Sequence, residues 1–64
     1  MEVRTEKRNE KPVLVENIKL GAWHVRWAVI EKVDEKTEEL YYEYKEVALD
    51  HEPTAAEIKA IKAL

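Results

Sequence analysis

The chain has 64 residues and a mass of 7.6 kDa, enough for one hydrophobic core and no second. Eleven basic and fourteen acidic side chains leave a net charge of −3, and 45% apolar residues make the composition globular rather than disordered. The absence of cysteine excludes disulfides and thiolate chemistry. No apolar run approaches the roughly 18 residues of a membrane span, and MEVRTEKRNEK lacks an apolar signal core, so a cytoplasmic protein is expected.

Residues 1–11 alternate weakly from Glu2 to Arg8, as an edge strand blunted by charge or a flexible arm would. Residues 13–20 read as a strand that ends at Gly21-Ala22, and a glycine first in a two-residue loop suits a type II′ hairpin turn. That turn predicts a register with Leu20 opposite Trp23, Ile18 opposite Val25, Glu16 opposite Trp27 and Leu14 opposite Val29. The face so formed is apolar except for Glu16. Residues 22–33 are the clearest strand, with Trp23, Val25, Trp27 and Val29 alternating with His24, Arg26 and Ala28.

Residues 34–39 are a polar connection to a strand over 40–49, rich in β-formers. Its facing is ambiguous. Leu40, Tyr42 and Tyr44 alternate one way, Tyr41, Val47 and Leu49 the other, and a bulge midway would switch the apolar set. Pro53 ends the strand. Thr54-Ala55-Ala56-Glu57 is a capping box, opening a helix over 55–64 with Ile58, Ile61 and Leu64 on one side. The expected fold is α+β: one domain over 1–64, an antiparallel β-meander of three to four strands with one C-terminal helix packed on one face.

Few residues suggest chemistry. Trp23 and Trp27 beside Arg26 and Lys45 resemble in type a platform on which single-stranded nucleic acid stacks. Residues 34–52, however, hold eight acidic and two basic side chains, a surface that repels phosphate. Glu16 and Glu46, if they flank Trp27, match a glycosidase pair in residue type, but a sheet this small offers no cleft to desolvate an acid. His24 and His51 lack metal-ligand spacing, and Asp50, His51 and Glu52 suit a polar strand end. No serine is present, and Gly21 is the sole glycine, so no nucleophilic serine and no phosphate loop exist. No enzyme, metal or cofactor is expected.

The predicted register leaves Val13, Val15, Ala28 and Ile30 on the face away from the helix. An apolar patch of that kind marks an interface. A two-fold dimer through these four side chains is expected to be weak, because association costs consume much of what their burial contributes.

The segment from Tyr44 to Ile61, YKEVALDHEPTAAEIKAI, and the strand Trp23-His24-Val25-Arg26-Trp27 resemble small uncharacterised proteins of Bacteroides-type gut bacteria and their prophages. In those proteins a strand, an Asp-His-x-Pro-Thr turn and a short helix close the chain. The resemblance implies a strands-then-helix fold and a bacterial or phage origin, and carries no catalytic residues. The expected function is a non-catalytic protein-interaction or assembly module, prophage-associated. The alternative is a single-stranded nucleic-acid-binding regulator that uses Trp23, Arg26, Trp27 and Lys45.

Overall fold

The computed structural model describes residues 2–64; Met1 lies outside the described residues. The elements are β1 (Arg4–Arg8), β2 (Val15–Lys19), β3 (Ala22–Val33), β4 (Leu40–Leu49) and α1 (Ala55–Lys62). The strands form one antiparallel sheet in the order β1-β4-β3-β2. The α+β expectation holds, with β2, β3 and β4 in a meander, and the N-terminal segment is an edge strand on β4.

The hydrophobic core lies on one face of the sheet. Val25, Trp27 and Val47 are buried there with Ile61 of α1, and Val15 and Leu49 pack at the margin. Burying Ile61, 2% exposed, contributes about 1.5–3 kcal/mol. Such docking is needed, because eight residues are too few for a helix stable in isolation. The capping box forms as expected: the Thr54 hydroxyl accepts from the Glu57 amide at 3.2 Å, and the Glu57 carboxylate accepts from the Thr54 amide at 3.1 Å. The helix stops at Lys62, and Leu64 is exposed rather than part of an apolar stripe.

The β2–β3 hairpin departs from the expected register. Lys19 pairs with Ala22, so the loop is Leu20-Gly21, with Gly21 at φ 73° in its second position. A bulge at Ile18 then places Asn17 opposite Trp23, Glu16 opposite His24 and Val15 opposite Val25. For Val15–Asn17 the offset from expectation is three residues. Because it is odd, these side chains change face, whereas Lys19, beyond the bulge, is offset by two and does not. Val15 joins the core, Glu16 leaves it, and Leu20 is thrown fully into solvent.

A bulge is present on β3, not in the 40–49 strand whose ambiguous facing a bulge would have switched. Trp27 pairs with Lys45 and Ile30 with Glu43, so Ala28 and Val29 share the place opposite Tyr44. Ala28 adopts φ 54°, the left-handed region. Beyond the bulge the alternation of β3 inverts: Ile30 and Lys32 take the side of the sheet that Trp27 holds.

β1 and β2 lie on opposite edges, three strand spacings or roughly 14 Å apart. Residues 9–14 must therefore cross a face, and six residues reach about 20 Å. The helix holds one face, so the crossing runs over the other. There Arg26 and Tyr44 are the buried side chains, each 2% exposed.

A left-handed alanine stores strain that glycine relieves. Ala28→Gly is expected to raise stability by about 0.5–1 kcal/mol, and Ala28→Val to lower it by about 1–2 kcal/mol. Urea denaturation followed by tryptophan fluorescence checks this; a loss on glycine substitution would contradict the bulge.

Candidate functional site

The expected interface patch does not assemble. Val15 lies in the core margin on the helix side, Val13 is exposed in the crossing segment, Ala28 sits in the bulge, and Ile30 lies beyond it on the helix side. The cause is the altered β2 register together with the inversion at Ala28-Val29. The aromatic platform also does not form. Trp27 is 6% exposed within the core, and Trp23 is half-buried beside Leu49. Arg26 points to the opposite face and is enclosed. Only Lys45, opposite Trp27, is free to solvent.

Arg26 organises a polar cluster beneath the crossing segment. Its Nη1 lies 3.3 Å from Glu16 Oε1 and its Nε 3.5 Å from Glu46 Oε2. The Nη1 group meets the Glu16 charge without an aligned hydrogen bond, and it is the buried side-chain nitrogen left without one. Glu46 also pairs with His24 Nδ1. Hydrogen bonding between the Arg26 amide and the Leu14 carbonyl, at 2.8 Å, ties the crossing segment to β3 at the same point. Thus Glu16 and Glu46 do converge, but on a cation rather than on Trp27. A hollow of about 600 Å³ lies elsewhere, lined by Lys7, Arg8, Val33, Leu40 and Tyr41 near the β3–β4 turn. Neither carboxylate lines that hollow, and both are committed to charge neutralisation.

A second cluster joins β4 to the helix. His51 bridges Asp50 Oδ1 through Nδ1 and Glu57 Oε2 through Nε2, both at 2.8 Å. Hydrogen bonds to Asp50 and then Glu57 raise the His51 pKa above its ordinary 6.5. The same contacts, His51 first, hold Asp50 and Glu57 below their ordinary values of 3.8 and 4.5. The arrangement fixes the strand end against the cap. Among the described residues no group of three or more histidines and carboxylates could hold a metal, and no helix is long and apolar enough to cross a membrane.

The feature suited to binding is the outer edge of β3. β2 pairs only with Ala22–Val25, and the Leu14 carbonyl takes the Arg26 amide. From Val29 to Val33 no strand covers that side among the described residues. The Asp34 amide bonds the Glu39 carbonyl at 2.9 Å, which sets the alternation: residues 30 and 32 bond β4, residues 31 and 33 turn N–H and C=O outward, and the Val29 carbonyl, across the peptide from the inward Ile30 amide, turns outward with them. Val29, Ile30 and Val33 are 37%, 54% and 55% exposed along this stretch. Periodicity revealed these residues as strand, but only the length mismatch between β2 and β3 shows the edge to be open.

Comparison with protein-family models, curated proteins and solved structures finds no match for the chain.

Two outcomes test the clusters. Removing Glu46 leaves a buried guanidinium with half its compensation, so Glu46→Ala should cost about 3 kcal/mol, whereas Arg26→Met, which removes the buried charge itself, should cost less. Urea titration of both variants ranks them, and the reverse order would refute the role given to Arg26.

The His51 bridge fixes a pH window. A raised histidine pKa contributes stability that is complete below 6.5 and lost as pH rises through the folded value. Lowered carboxylate values contribute stability present above 4.5 and lost as pH falls through the folded values. Thermal midpoints should therefore crest between those limits, and His51→Ala should abolish the alkaline decline. An unchanged slope in that variant assigns the decline to another group.

Proposed function

We propose that the protein is a non-catalytic interaction module that takes an extended strand of a partner onto the open edge of β3. The carrying observation is the five-residue stretch Val29–Val33, with outward backbone groups at alternate positions and exposed Val29, Ile30 and Val33. Strand addition of this kind draws affinity from main-chain hydrogen bonds and selectivity from alternate side chains. The resemblance of the C-terminal segment to small prophage-associated proteins supports an accessory role in assembly. The nucleic-acid alternative gains nothing from the geometry, since Arg26 is neutralised by two glutamates and Trp27 is interior.

A displayed library of extended heptapeptides should yield binders rich in β-branched residues. Glu31→Pro should abolish their binding, because it removes an outward N–H without touching the β3–β4 ladder. Failure to enrich any peptide, or enrichment that survives Glu31→Pro, rejects edge docking.

A further inference from the structure

We infer that the strand received on this edge is β3 of a second copy, paired antiparallel about a two-fold axis through Glu31. This rests on the docking reading above and names its partner.

The stretch is bounded on both sides. The left-handed Ala28 of the bulge ends regular alternation on one side, and the turn that begins at Asp34 ends it on the other. The five residues between are centred on Glu31. A two-fold axis normal to the sheet keeps equivalent faces together, so only partners of like facing can pair. Centred on Glu31, the pairing sets Val29 against Val33 of the partner subunit, Ile30 against Lys32 of the partner subunit, and Glu31 against its own copy. The outward groups at 31 and 33 and the Val29 carbonyl then find partners. Val29 and Val33 meet twice, on one face. On the other, the aliphatic stem of Lys32 covers Ile30 while its ammonium keeps Glu43, 3.2 Å away in its own chain.

Neighbouring registers fail. Moving the axis to Ile30 brings Asp34 of the partner subunit opposite Arg26, where Leu14 already lies, and runs the ladder into the bulge. Moving it to Lys32 sets two lysines opposite each other and leaves Val29 unpaired. The Glu31-centred register stops the partner's turn two positions short of Leu14, where β2 takes over the edge.

One feature opposes it: Glu31 faces Glu31. Like charges directly across a ladder weaken pairing. A ladder of five residues from each copy is also short for a specific stable interface, which buries roughly 1,200 Å² or more. Association is therefore weak and concentration-dependent, which gives the test a sign that a foreign-strand partner does not share.

Sedimentation of the full chain from about 10 μM to about 1 mM should show a monomer–dimer equilibrium. Glu31→Gln should tighten it roughly two- to fivefold, and Glu31→Pro should abolish it with the circular dichroism of the fold retained. The chain has no cysteine, so Glu31→Cys provides a second readout. Facing Cα atoms in a bonded pair lie about 5.5 Å apart, within disulfide reach. Oxidation should cross-link Glu31→Cys at least tenfold faster than Lys36→Cys, on the exposed turn. Equal cross-linking rates, or a mass held at 7.6 kDa for both wild type and Glu31→Gln at about 1 mM, overturns self-pairing. If library peptides still bind such a monomer, edge docking stands and only the second copy is wrong; if none bind, both fall.

Discussion

Two residues of β3, Ala28 and Val29, stand opposite one residue of β4, and this divides the molecule. Before the bulge, Val25 and Trp27 face the helix, and β2 covers the outer edge. After it, the facing of β3 inverts, the helix no longer lies beneath, and β2 has ended. The strained φ of 54° at Ala28 is the local expense of joining two half-strands that do different things. Without the extra residue, Ile30 and Lys32 would fall on the face opposite Trp27. Lys32 could not then reach Glu43, and the arm would lose the ion pair that braces it.

The second constraint is topological. With β1 and β2 on opposite edges, residues 9–14 must lie across a face, and a face without a helix needs something to pack them against. Arg26 fills that place. Its aliphatic stem is buried like a hydrophobe, while its guanidinium draws Glu16 from one neighbouring strand and Glu46 from the other. A buried ion pair adds little net stability compared with an apolar substitute. It does specify geometry. Glu16 brings its charge to Arg26 only when β2 is in the observed register, so the network selects against the slipped hairpin even where its gain in free energy is small.

Those two constraints explain what could be read in the chain and what could not. The strand 22–33, the strand 40–49 and the capped helix follow from alternation of period two and from Thr54-Ala55-Ala56-Glu57, and all are local signals. The β2 register is not local. Leu14, Ile18 and Leu20 build a more apolar face in the slipped register than in the real one, yet they are 43%, 48% and 100% exposed. Hydrophobic periodicity cannot weigh a buried arginine that requires a glutamate beside it, and that polar demand decides the pairing. The error passed to the site. Val13, Val15, Ala28 and Ile30 share a face only in a hairpin that does not form and a strand that is not bulged. Arg26 was visible as a cation on a strand but not as one already neutralised.

What remains is why an open edge should be ordered enough to bind. The arm beyond the bulge lies outside the core of Val25, Trp27, Val47 and Ile61, so burial does little to hold it. Its order comes from the side away from the free edge. β4 is ten residues long and pairs with the arm as far as Leu40-Val33. β1 backs β4 through Lys7 opposite Glu43 and Arg8 opposite Tyr42, with the Lys7 ammonium 5.7 Å from the centre of the Tyr41 ring. An incoming strand therefore meets a preformed template with two strands behind it and does not have to order the arm as it binds, which is the largest avoidable cost of docking an extended segment. The charged, five-residue β1 is a poor template for a further strand, and β2 is short and bulged. Of the edge stretches among the described residues, Val29–Val33 is thus the one that is both unguarded and braced.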